Sequence, residues 1–161
     1  MVDVANNWGY LFHERGSDYL LFPVATGQRD TIRYIGRVYY AATPVAEWVA
    51  RETSVKGDRV TFGPTGLFLR LYRNGTTHTA YGIHGHRDSE QWLADAVRFR
   101  SAGCIVVHEK ILSVLQKTYE ANKQTLPVTT VKGMEPVTEE ILRRELQEVT
   151  LRSGVLAKEK Q

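Results

Sequence analysis

Two short stretches carry the side chains best suited to covalent chemistry: Gly82-Ile83-His84-Gly85-His86, and Ser101-Ala102-Gly103-Cys104 running into Ile105-Val106-Val107. Cysteine attacks as the thiolate, and a free thiol with a pKa of about 8.5 is mostly protonated at neutral pH, so it needs a base beside it. An imidazole supplies one, and His84 stands at the end of a strand-like run. The small residues at 101 to 103 allow a sharp turn whose N–H groups could face the oxyanion that forms when a carbonyl is attacked. A single cysteine in an aliphatic run also suits a core position, and a lone histidine a structural one, so spacing alone leaves both readings open. His84, His86, Cys104 and His108 are also zinc-ligand types. Their H-x-H and C-x3-H spacing is no familiar finger, and strand alternation lets Cys104 and His108 share a face only at the strand's limit, so no metal is expected.

These residues need strands to hold them. The run from Leu67 to Gly85 is the clearest hairpin in the chain: Leu67, Leu69 and Leu71 alternate with Phe68, Arg70 and Tyr72, Asn74-Gly75 makes the turn, and the return strand ends at His84. Upstream, the segment from Asp18 to Gly27 reads as a strand closed by a glycine turn, and Ile35 to Ala42 as a second strand carrying Tyr39 and Tyr40. Pro44, Gly57, Gly63 and Pro64 punctuate the connection that follows, within which AEWVARE is compatible with a short helix. Asp88 or Ser89 can cap a helix through Trp92, Leu93, Ala96, Val97 and Phe99. Ile111, Leu112, Val114, Leu115 and Tyr119 mark an amphipathic helix, and LPVTTV a closing strand. The expectation is a mainly β domain with appended helices over residues 1–133. Residues 134–161 follow as an amphipathic helix, with Thr138 as N-cap and an apolar stripe of Ile141, Leu142, Leu146 and Val149, and a frayed tail.

The motif residues resemble the L,D-transpeptidase catalytic domain, also called the YkuD domain. That family carries an Ile-His-Gly strand end, a spacer, then Ser-His-Gly-Cys, an aliphatic residue and usually Arg. Here the elements are IHG at 83–85, sixteen intervening residues between His84 and Ser101, and SAGCIVV at 101–107. LLFPVATG and GPTGLFLRLY extend the resemblance, which covers roughly residues 18 to 132. It implies an L,D-transpeptidase-like β-sandwich acting on peptidoglycan stem peptides through a thioester. In that reading Cys104 is the nucleophile, His84 its base, the Gly85 carbonyl the group that orients the imidazole, and the N–H groups of Gly103 and Cys104 the oxyanion hole. Ser101, His86, Trp48 and Tyr81 are the expected substrate-binding residues. Two positions depart from the pattern: Ala102 replaces the family's second histidine, and Val106 its arginine. Hydrolysis by a carboxypeptidase or amidase, including the role of a wall-targeting effector, and a peptidoglycan-binding pseudoenzyme are the alternatives.

Composition sets the outer bounds. A chain of 161 residues with 42% hydrophobic content suits one core. The net charge of +3 comes from 21 basic against 18 acidic residues spread along the chain, with no basic stripe of the kind that marks nucleic-acid binders. One cysteine cannot form an internal disulfide. No apolar run approaches the roughly 20 residues of a membrane span, and the first ten residues lack the order of a secretory signal. No cofactor is expected, the oligomeric state is not legible, and the implied location is the periplasm or cell wall.

Overall fold

The computed structural model describes residues 1–13, 18–34 and 36–133. Its strands are β1 (Val2–Asp3), β2 (Trp8–Phe12), β3 (Tyr19–Pro23), β4 (Thr26–Gly27), β5 (Thr31–Tyr34), β6 (Arg37–Tyr40), β7 (Ala46–Val55), β8 (Leu67–Arg73), β9 (Thr77–His84), β10 (Phe99–Ser101), β11 (Ile105–Val106) and β12 (Leu126–Val131). Two helices accompany them among the described residues, α1 (Ser89–Ala94) and α2 (Glu109–Ala121). An eight-stranded sheet in the order β11-β9-β8-β7-β12-β1-β2-β3 forms the frame, and the small pairs β10-β4 and β5-β6 stand beside it. The protein is mainly β, with a curled sheet.

The hairpin legible in the sequence is the centre of this sheet. Leu67, Leu69 and Leu71 of β8 are buried, and the alternate residues Phe68 and Arg70 face a groove on the other side. Asn74 and Gly75 take positive φ of 50° and 73°, as a tight hairpin turn with right-handed strand twist requires. Helix α2 lays Leu112, Leu115 and Tyr119 on the apolar face, against a core that includes Leu69, Leu71, Ile83, Ile105 and Val107. One face of the sheet is thereby sealed, and the other is left to carry the site.

Several expectations are corrected. AEWVARE lies not in a helix but in the ten-residue strand β7, paired with β8 on one side and β12 on the other. Trp48 and Ala50 are buried at period two, so neighbours on both edges overrule the helical preference of Ala, Glu and Arg. LPVTTV is a strand as expected, β12, the last in chain order, and its place in the sheet is internal, antiparallel to β7 and parallel to β1. The first twelve residues, which carry no strong pattern, supply β1 and β2. The expected strand from Ile35 to Ala42 is shorter and forms one arm of the β5-β6 hairpin. Helix α1 ends at Ala94, and Phe99 belongs to β10. The helix expected from Thr138 lies outside the described residues.

One buried hydroxyl ties the middle of the sheet together. Thr130 Oγ1 accepts from Ala46 N at 2.8 Å and from Trp48 Nε1 at 2.9 Å, and donates to Pro44 O at 2.7 Å. Trp48 is therefore fixed from beneath, with its ring 5.6 Å from that of Tyr81.

Candidate active site

Strand β11 pairs in parallel with β9, Ile105 opposite Ile83 and Val106 opposite His84. Continuing that register by one residue sets Cys104 opposite Gly82, so Cys104 and His84 point to the same face, two residues apart along neighbouring strands. Both side chains line one groove of about 840 Å³. Gly82 keeps the floor low, because a Cβ there would strike the Phe68 ring at 2.2 Å.

His84 is held rigidly. Its Nδ1 lies 2.5 Å from the Gly85 carbonyl, which fixes Nδ1 as the donor and leaves Nε2 with its lone pair. The ring packs between Phe62, at 5.0 Å, and Phe68, at 5.8 Å. Burial among these rings lowers the imidazole pKa to about 4, against the opposing pull of the Gly85 carbonyl. Cys104 is half-buried, with part of its surface open to the groove and the rest desolvated by the surrounding protein. This desolvation pushes the thiol up to about 11, opposed by the Gly82 N–H and by the Arg70 guanidinium. Sγ is 3.9 Å from the Ala80 carbonyl oxygen on the neighbouring strand β9. The resting pair is a neutral thiol and a neutral imidazole.

The turn before the cysteine satisfies its own polar groups. Ser101 Oγ donates to Cys104 O at 2.6 Å and accepts from Gly103 N at 3.1 Å, while Thr43 Oγ1 donates to Gly103 O at 2.8 Å. Gly103 has a φ of 124°, and a Cβ there would meet the Tyr81 ring at 2.8 Å. The expectation that the Gly103 N–H faces an oxyanion is therefore corrected: that donor is taken by Ser101. The Cys104 N–H has no hydrogen-bond partner among the described residues. Ser101 is equally a brace of the turn, with its hydroxyl already engaged.

The remaining expected site residues divide. Tyr81 lines the groove; Trp48 does not, being 3% exposed behind it, because its indole N–H is drawn to Thr130. His86 lines the groove but stacks on Trp92 at 3.8 Å and accepts from Asp88 N at 3.0 Å, which commits it away from the sulfur. His108 caps α2 through Lys110 N. Among the described residues no three His, Cys, Asp or Glu side chains gather as a metal site. Sequence reasoning missed Tyr39, whose hydroxyl donates to Ala102 O at 2.9 Å and seats the β5-β6 hairpin against the turn that precedes Cys104.

A model of the L,D-transpeptidase catalytic domain (YkuD) matches residues 1–132. The chain belongs to the L,D-transpeptidase catalytic domain family. A search of curated proteins found no match. The family assignment ties the domain to peptidoglycan, and the match includes the N-terminal strands β1 and β2 that lay upstream of the residues carrying the resemblance. Among the described residues, no helix is long and apolar enough to cross a membrane.

Two consequences can be measured. Because His84 titrates near 4 when folded and near 6.5 when unfolded, the unfolded chain binds the extra proton between those values, and stability is lost as pH falls from 6.5 toward 4. Urea unfolding at pH 7.5 and 4.5 should show this residue contributing a loss of about 2–3 kcal/mol, absent from His84→Gln; equal losses in both proteins would contradict the burial argument. Second, a thiol near 11 is ionised at pH 7 to only about one part in ten thousand. Allowing for the greater nucleophilicity of a high-pKa thiolate, iodoacetamide should modify Cys104 about 20–30-fold more slowly than a free peptide thiol. Faster labelling than the peptide would mean a resting thiolate–imidazolium pair.

Proposed function

We propose that this domain is a cysteine-dependent acyltransferase that takes the acyl group of a peptidoglycan stem peptide onto Cys104 and passes it to an amine. The observation that carries the reading is the shared face and groove of Cys104 and His84, enforced by the parallel β9-β11 ladder. A turn about the Cα–Cβ bond carries Sγ from the Ala80 carbonyl toward the imidazole, a change between ordinary rotamers. His84 Nε2 then takes the thiol proton as sulfur bonds to the scissile carbonyl carbon, so charge develops only during attack.

The carbonyl electrons move to oxygen, and the Cys104 N–H is the free donor nearest to it in sequence. When the C–N bond breaks, the imidazolium returns its proton to the leaving amine and the thioester remains. An incoming amine loses its proton to His84 and displaces the sulfur, restoring the thiol. The Gly85 carbonyl keeps Nδ1–H oriented and favours the imidazolium, the part that an aspartate plays in serine triads. Water in place of the amine gives the hydrolytic alternative with the same first half-reaction. The substrate puts the place of work outside the cytoplasm, in the periplasm or at the wall.

Ala102 and Val106 do not oppose this reading. Ala102 contributes its carbonyl to Tyr39, and Val106 is buried at 1% exposure with Ala25 and Leu93, so neither position offers a group to the proton transfer. Incubation with muropeptides and mass analysis of products tests the assignment. Cross-linked products should form with the native protein. They should vanish with Cys104→Ala and fall by about 10²–10⁴-fold with His84→Ala. Turnover that persists without Cys104 overturns the proposal, and shortened peptides without cross-links would select hydrolysis.

A further inference from the structure

Glu109 opens α2, where its charge suits the positive end of the helix. That role asks only for a solvated carboxylate, and half of this one is dry. Oε1 is buried and has no hydrogen-bond partner among the described residues, while Oε2 accepts from the Thr65 hydroxyl at 2.8 Å. A buried carboxylate oxygen left unpaired costs stability, so its place in the fold calls for a reason.

That place lies between two glycines. A Cβ at Gly63 or at Gly85 would overlap Oε1, so the carboxylate fits only because both positions lack a side chain. Gly63 also takes a φ of 73°, which favours glycine in its own right. Glu109 thereby joins the start of α2 to the connection between β7 and β8 and to the chain just past β9. Both of the joined segments touch His84. Gly85 gives its carbonyl to Nδ1, and Phe62, the neighbour of Gly63, lays its ring 5.0 Å from the imidazole. The Thr61 carbonyl, one residue further back, also favours the charged ring. A main-chain bond from Arg87 N to Val60 O at 3.0 Å ties the same two segments together.

Resting on the acyl-transfer reading above, we propose that Glu109 is a positioning residue for His84: wedged between Gly63 and Gly85 and tied to Thr65, it keeps the Gly85 carbonyl and the Phe62 ring closed on the imidazole. Glu109 stands outside the groove lining and takes no part in proton transfer. Its contribution is shape and the bond to Thr65, so glutamine in its place preserves the arrangement and alanine does not. A ring that can swing away from the Gly85 carbonyl no longer keeps its proton on Nδ1 and its lone pair on Nε2. Small misplacements of a base cost rate out of proportion to the distance moved.

The test is proton NMR of the free protein at neutral pH, reading the low-field His84 Nδ1–H signal, which is assigned by its loss in His84→Gln. The native protein should show this proton in slow exchange with solvent. Glu109→Ala should abolish the signal or speed its exchange by at least about ten-fold, and Glu109→Gln should keep it within about two-fold of native. Thr65→Val, which removes only the tie to Oε2, should fall between the two. In acylation by a stem tetrapeptide, Glu109→Ala should lower kcat by about 10–100-fold with KM within about two-fold, and Glu109→Gln should restore it. A native-like signal in folded Glu109→Ala, a loss in Glu109→Gln as complete as in Glu109→Ala, or no slowly exchanging proton in the native protein would each overturn the proposal. Should Glu109→Ala fail to fold, unchanged exchange in Thr65→Val would overturn it. The expected changes in the signal without any acylation by the native protein would sink the acyl-transfer reading and leave the positioning role, whereas acylation with a signal that Glu109→Ala does not move would do the reverse.

Discussion

The site depends on one strand pairing, the parallel ladder between β9 and β11. Because side chains alternate across a sheet, a slip of one residue in that register would turn Cys104 to the opposite face from His84 and into the apolar core. The register is pinned from both sides: Ile83 and Ile105 are buried together in the core, and Val106 forms a further bridge to Ala25, with bonds of 2.9 and 2.8 Å. Parallel neighbours cannot be joined by a tight turn and need a crossover of a dozen or more residues. Residues 85–104 are that crossover, and the sixteen of them between His84 and Ser101 hold α1 and the start of β10. The spacing of the two motifs is thus a consequence of topology.

Burial then sets the electrostatics. The same packing that orients His84 between Phe62 and Phe68 removes water from it, and the sulfur is crowded in turn, so both groups rest uncharged. A neutral pair avoids the cost of holding an ion pair in a dry site without a substrate. In the proposed reaction the peptide takes part in the activation, because charge separation becomes favourable only when the oxyanion finds its donor and the imidazolium its carbonyl.

Much of this was legible in the sequence. The β8-β9 hairpin was announced by leucine alternation and Asn-Gly, and α2 by its apolar stripe, since both are governed by local periodicity. His84, Gly85 and Cys104 stood out through residue type and motif spacing, and the structure sets His84 and Cys104 in one groove with the Gly85 carbonyl against the His84 ring. What escaped was set by distant partners. The helix-like composition of Ala46–Val55 yielded to pairing on both edges, and β12 took an inner place that its sequence could not reveal. Trp48 turned to Thr130, 82 residues away, and the Gly103 N–H to the Ser101 hydroxyl inside its own turn. Tyr39 carries no motif, and only the folded hairpin brings it against the turn that precedes Cys104.

The central claim is that the sulfur of residue 104 carries the acyl group. It is tested most directly by acid-quenching the native protein milliseconds after mixing with a stem tetrapeptide and measuring the intact mass, followed by peptide mapping. The account predicts an adduct equal to the donor acyl fragment, confined to the peptide containing Cys104, labile to hydroxylamine and absent from His84→Ala on the same timescale. Product formation with no such adduct, or an adduct on any other residue, would contradict it.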